Sequence, residues 1–290
     1  MFLQTSVPGD PYLMIKPDSD LNNVKPEYLQ NKYTVRLSGT DYSKDFIDKF
    51  IQVFREVKYL DIGNFISRID KSFVYNLPNL EGLGISLFRD LDFILDCSKL
   101  PKSLYSLNLS VWSRKHIINI ETLNDTKLEI LYVASFDEKD LTKLSGLTKL
   151  KGLSVTRSKI KSLKGLETLT NLENLSLGGV RSLTDITDIT TLQKLERLEF
   201  DICWKLKDFS PIGRLKALKE LELLDCKNLE SIQFVKELPN LKRLSTLGTT
   251  IINDYDTTPA EHVPVFWGSQ YSKYNKQYPE KEIHKKLEDL

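Results

Sequence analysis

The stretch LTKLKGLSVTRSKIKSLKGLETLTNLENLSLGG, residues 147–179, decides the fold. Leu147, Leu150, Leu153 and Val155 fall at gaps of three, three and two, and the phrase restarts at Leu169, Leu172, Leu175 and Leu177. An α-helix asks for gaps of three and four, and a half-buried strand asks for strict alternation. The rhythm therefore belongs to a unit longer than either.

The pattern L-x-x-L-x-L recurs from Val57, Leu80, Leu104, Leu128, Leu150, Leu172, Leu195, Leu218 and Leu241, in steps of 22 to 24 residues, and a weaker copy, TVRLSG, starts at Thr34. Repetition at this period is the signature of a solenoid. The last two core positions alternate, as on a short strand with one buried face. One such unit cannot enclose its own apolar side, so neighbours stack as parallel strands about 4.8 Å apart over a shared core. The rest of each unit must turn back across that core. In SKIKSLKGLETLTNL, Ile160, Leu163, Leu166 and Leu169 recur every third residue, the period of 3₁₀ turns.

These units, LTKLKGLSVTRSKIKSLKG and LTNLENLSLGGVRSLTDITD above all, resemble leucine-rich repeats of the short bacterial, internalin-like type. The resemblance covers roughly residues 34–250. It implies an α/β leucine-rich repeat solenoid (horseshoe), with a parallel concave sheet of about 9–10 short strands and short 3₁₀ or helical return segments. It also implies a protein that binds proteins, usually on the concave sheet. Internalins are exported and no export signal is evident here, so their adhesive role is not carried over. The family places Asn at the bend after the strand. Here the bend column reads Phe65, Phe88, Trp112, Phe136, Ser158, Val180, Cys203, Cys226 and Thr249. The aromatics predict an inward stack, not a cofactor-binding box, and leave the bend amides to backbone or water.

The expected organisation is an N-terminal cap over 1–32, repeats over 33–250, and a C-terminal cap over 251–290 with a short helix carrying Ile283, Leu287 and Leu290. Phe46, Phe50, Val53, Phe54 and Val57 predict a helix at 43–57 with Ser43 as its N-cap. Phe266 and Trp267 are expected to belong to the C-terminal cap. Tyr271, Tyr274 and Tyr278 suit a cap or an interface equally.

Composition narrows the function. The chain has 290 residues, 40% hydrophobic and 28% charged, with 41 basic and 40 acidic side chains and a net charge of +1. That balance calls for neither nucleic acid nor an anionic membrane. The first 20 residues lack a secretory pattern and no apolar run approaches a membrane span, so a cytoplasmic, monomeric protein is expected. Three cysteines fit a reducing compartment, with Cys203 and Cys226 read as buried free thiols one period apart. His116, His262 and His284 lie far apart in the register, and no phosphate-cradling or nucleophile motif stands in a credible context. Asp185 and Asp188 in TDITDIT read as a solvated face. No cofactor, metal or catalytic residue is assigned.

The x positions of the repeat face the concave side. The partner-binding candidates there are Tyr59, Asp61, Asn108, Ile130, Tyr132, Arg157, Arg197, Glu199, Asp201 and Glu222, around a pavement of Gly and Ser. Glu199 and Glu222 should be neighbours, a repulsion that either Arg197 and Arg243 or a basic partner relieves. The expected function is non-enzymatic recognition of a protein partner, as a bacterial immunity protein or an adaptor. A secreted effector aimed at a host protein is the alternative, and an enzyme is the distant one.

Overall fold

A computed structural model describes residues 12–29, 33–63, 70–87, 93–112 and 114–278. Phe65, Phe88, His284 and the C-terminal helix expected at Ile283, Leu287 and Leu290 lie outside them. The chain divides into two compact units, Met1–Ser135 and Phe136–Leu290.

In the first unit the strands are β1 (Tyr12–Ile15), β2 (Thr34–Leu37), β3 (Tyr59–Ile62), β4 (Gly82–Ile85), β5 (Leu95–Asp96), β6 (Ser106–Leu109), β7 (Ile117–Ile118) and β8 (Ile130–Ala134). β1, β2, β3, β4, β6 and β8 pair in parallel, each with the next, and β5 pairs with β7 on the return side. The middle core positions align as Val35, Leu60, Leu83, Leu107 and Leu131, all almost fully buried. β1 lies within the stretch expected to be an N-terminal cap and extends the parallel pairing beyond the weak copy. Tyr42 holds it by donating its hydroxyl to the Ile15 carbonyl at 2.6 Å.

Helix α1 (Lys44–Val53) begins where expected and ends at Val53, short of the expected 57. The Ser43 hydroxyl accepts from the Phe46 amide at 3.1 Å, and Ile47, Phe50, Phe54 and Val57 bury its apolar stripe. Phe50 stacks on Phe54 with centroids 5.0 Å apart and meets Phe73 edge-on at 6.0 Å.

The second unit carries β9 (Gly152–Thr156), β10 (Asn174–Gly178), β11 (Arg197–Asp201), β12 (Glu220–Leu224), β13 (Arg243–Leu247) and β14 (Val265–Trp267), again parallel and in register. Leu153, Leu175, Leu198, Leu221, Leu244 and Phe266 form one buried row. Each such side chain contributes about 1.5–3 kcal/mol through burial. Ile160, Leu163, Leu166 and Leu169 have no exposed surface, as their three-residue spacing predicts. The return segments are 3₁₀ turns, among them Thr142–Leu144, Leu166–Thr168, Thr187–Thr191, Ser210–Arg214 and Gln233–Glu237.

Two devices of the return path were not anticipated. An aspartate caps several turns: Asp140, Asp185 and Asp208 each accept from the amide two residues on, at 2.9 Å. Asp185 is thus a capping residue and not merely part of a solvated face. The hydrogen bonds from the Thr187 amide and hydroxyl hold its carboxyl below the ordinary range. The second device is a left-handed residue at each strand exit, Arg157 (φ 52°), Gly179 (67°), Ile202 (53°), Asp225 (50°) and Gly248 (68°). That conformation turns the amide to the next strand's last carbonyl: Arg157 to Gly178 at 2.7 Å, Gly179 to Asp201 at 2.8 Å, Ile202 to Leu224 at 2.9 Å. The backbone thus serves the bend amides that were expected to need backbone or water.

The bend residues Trp112, Phe136, Ser158, Val180, Cys203 and Cys226 are buried. The Ser158 hydroxyl donates to the Phe136 carbonyl at 2.7 Å. Thr249 departs from the column. It is exposed, and Thr250 turns inward to accept from the Cys226 amide at 2.8 Å and donate to the Leu223 carbonyl at 2.9 Å. A hydroxyl is the better occupant, because it satisfies two buried backbone groups at once. Cys203 and Cys226 are free thiols, and their mutual hydrogen bond together with burial holds Cys203 protonated.

At the C-terminal end, Tyr274 accepts from the Ile252 amide at 3.1 Å and Tyr278 donates to the Thr257 carbonyl at 2.8 Å. Tyr271 meets Tyr274 edge-on at 5.3 Å, so all three tyrosines take part in local packing.

Candidate interaction face

The open face of each run of strands carries the x positions in the order the repeat predicts. In the first unit, Tyr59 aligns with Gly82, Ser106 and Ile130, and Asp61 with Gly84, Asn108 and Tyr132. Asp61 is not a free charge. The Arg36 guanidinium grips it through Nη2 at 2.6 Å and Nε at 2.7 Å, and Arg36 itself lies 3.6 Å from the Tyr12 ring centroid. Burial raises the Asp61 carboxyl even against the pull of Arg36. The carboxylate leans over Gly84, where a Cβ would stand 2.8 Å from Oδ1. The glycine pavement is therefore roofed at this point by the protein's own ion pair.

Tyr59 donates to Glu81 at 3.0 Å, and Glu81 also pairs with Lys58 at 2.7 Å. Lys58, then Tyr59, hold the Glu81 carboxyl below its ordinary value. Ile130 and Tyr132 are partly exposed, Asn108 stands beside Tyr132, and Tyr105 is 41% exposed. Burial pushes the Tyr132 phenol up. This is a mixed aromatic, aliphatic and amide surface.

In the second unit, Arg197, Glu220 and Arg243 form one column, with Arg197 3.6 Å and Arg243 2.7 Å from the Glu220 carboxylate. The arginines were one of the two expected counter-charges for Glu199 and Glu222, but Glu220 engages both of them because it lies in their own column. Arg243 is further fixed 4.7 Å from the Trp267 centroid. Glu199 and Glu222 are register neighbours, and neither forms an ion pair among the described residues. Glu199 is 8% exposed and accepts from the Ser176 hydroxyl at 2.8 Å. Burial, then the charges of Glu222 and Asp201 acting against the Ser176 hydrogen bond, raises its carboxyl to about 7. Burial raises Glu222 as well, and burial with Asp225 raises Asp201. Leu224 and the 41%-exposed Leu247 occupy the column beside these carboxylates. Arg157 is exposed at its strand exit.

The candidates thus fall into two separate groups. Tyr59, Asp61, Asn108, Ile130 and Tyr132 belong to the first unit, and Arg157, Arg197, Glu199, Asp201 and Glu222 to the second. Arg36, Tyr12 and Trp267 were missed as parts of these surfaces. Arg36 was readable as the x position of TVRLSG, whereas β1 and β14 lie outside the recognisable repeats. Among the described residues, no group of three or more His, Cys, Asp or Glu could hold a metal ion.

No family model matches the chain, and no curated protein does. Solved structures do. TLR13 in its complex with ssRNA13 matches with a TM-score of 0.56 and 17% identity, over 81% of this chain and 36% of that one. An internalin (InlF) from Listeria monocytogenes matches at 26% identity and a TM-score of 0.49, over 75% of this chain and 68% of that one. A second Listeria monocytogenes internalin, InlC2, matches at 22% and 0.39, over 55% and 76%.

Proposed function

We propose that this chain, a leucine-rich repeat protein by fold, is a recognition module that holds a protein partner on the open face of its strands and catalyses no reaction on it. The observation that carries this reading is the pair Glu199 and Glu222, side by side and partly desolvated while the nearby arginines are bound to Glu220. Such a pair is unfavourable in isolation and favourable against a lysine or arginine of a partner. Exposed Leu247 beside it, and Ile130 and Tyr132 in the first unit, supply the apolar contact that charge alone does not. The same reading places the protein in the cytoplasm, as an immunity protein masking a toxin or as an adaptor. A toxin gene next to this one would favour the former.

The test starts from a partner captured on the immobilised protein and then titrated in purified form. Tyr132→Ala is expected to weaken binding by about 1–3 kcal/mol, the cost of removing a central aromatic contact. Glu222→Gln is expected to slow association and flatten its salt dependence. Lys161→Ala, on the return side, is the control. The reading fails if the control weakens the complex and Tyr132→Ala does not.

A further inference from the structure

We propose that the edge of the second unit where Arg181 and Lys227 flank Trp204 is a docking site for an acidic peptide segment. It uses none of the open-face residues discussed above.

One position beyond the buried bend residues Ser158, Val180, Cys203 and Cys226, the chain places Lys159, Arg181, Trp204 and Lys227. The three cations are exposed and Trp204 is half-buried. The Arg181 guanidinium and the Lys227 ammonium each lie 4.3 Å from the Trp204 ring centroid, Arg181 reaching it from the preceding repeat and Lys227 from the following one. The Asn228 amide donates to the Trp204 carbonyl and pins the turn that carries the ring. Long basic side chains normally lose freedom when they bind. Here the indole has already ordered two of them, which lowers the cost of meeting a ligand.

Two lysines of this unit find a glutamate on a neighbouring repeat. Lys219 pairs with Glu196 at 2.6 Å and Lys216 with Glu237 at 3.3 Å. Lys159, Arg181 and Lys227 form no ion pair among the described residues. Like charges have thus been gathered on successive repeats without an internal counter-charge, and an anionic ligand would supply it.

The ligand's form follows from spacing and from the ring. Repeats stack about 4.8 Å apart, so Lys159 and Lys227, three repeats apart, are separated by roughly 14 Å. In an extended peptide, residues i and i+4 are about 13 Å apart with their side chains on one side. Acidic residues at i, i+2 and i+4 therefore span the site. A single-stranded nucleic acid fits less well. Trp204 is already flanked by cations and offers no free face for a base.

The experiment is fluorescence anisotropy of the full chain with a fluorescein-labelled peptide, Gly-Glu-Ser-Glu-Ser-Glu-Ser-Glu-Gly, at low salt. The combined variant Lys159→Ser, Arg181→Ser, Lys227→Ser is expected to weaken binding at least tenfold with an unchanged melting temperature. Trp204→Leu, which keeps every charge, is expected to weaken it severalfold. Lys164→Ser, Lys194→Ser, Lys236→Ser, an equal loss of charge on the return side, is expected to leave it intact. The proposal is overturned if the return-side variant loses as much as the edge variant. It is also overturned if the Gln-for-Glu peptide binds the parent equally well, or if a single-stranded oligonucleotide of equal charge binds better than the peptide.

Discussion

Replacing Glu199 by Gln tests the electrostatics of the open face through stability alone, without a partner. Glu199 titrates at about 7 in the folded chain against an ordinary value of 4.5, chiefly because it is buried. Between those two values the folded protein keeps a proton that the unfolded chain releases, so stability falls as pH rises through the window and is level above it. The gap, at about 1.4 kcal/mol for each tenfold change in proton affinity, amounts to about 3 kcal/mol. Gln has nearly the same shape, keeps an oxygen to accept from Ser176, and never ionises. At pH 4.5 the parent and Glu199→Gln should melt together. At pH 8 the variant should be the more stable by about 3 kcal/mol, or about 6–12 °C for a unit of this size. Thermal melts followed by circular dichroism at half-unit steps from pH 4.5 to 8 give both curves. A constant offset at every pH, or a variant less stable than the parent at pH 8, would refute the reasoning.

Arg36→Ala should leave the Asp61 carboxylate buried without its guanidinium and cost about 2–4 kcal/mol in a urea titration, with Asp61→Asn in the same background recovering most of the loss. Leu153→Asp puts an unpaired charge into the core row of β9 and should cost several kcal/mol; a melting temperature equal to the parent's would contradict the register described above. Cys203 and Cys226, both buried, should react with a thiol reagent only at the rate of unfolding, whereas rapid labelling of both in the native protein would exclude their place in the bends.

The period of 22 to 24 residues and the spacing inside it are enough to place almost every core side chain of the repeats, and the reason is physical. A unit too small to bury its own apolar face forces the same inward positions in every copy, so Leu153, Leu175, Leu198, Leu221 and Leu244 follow from counting. The alternation of strand residues likewise assigned each x position to the open face, and the register agrees within each unit, from Tyr59 to Tyr132 and from Gly152 to Ser245. Helix α1 and its Ser43 cap were legible because capping is a local event.

What counting could not provide is the choice among partners within reach. Glu220 and Glu222 are two residues apart, and only the folded column decides that Arg197 and Arg243 go to Glu220, leaving Glu199 and Glu222 to each other. Asp61 read as a partner-binding charge, and the fold brought Arg36, 25 residues away, onto it with Tyr12 behind the guanidinium. The left-handed strand exits, the inward turn of Thr250, and the strands β1 and β14 have no leucine signal, since backbone hydrogen bonds to a neighbouring repeat create them. The repeat spacing does not single out Trp204, and the stacking of repeats set a cation on either side of it. Periodic burial is written in each repeat separately, whereas pairing of charges depends on distances that exist only after the repeats have stacked.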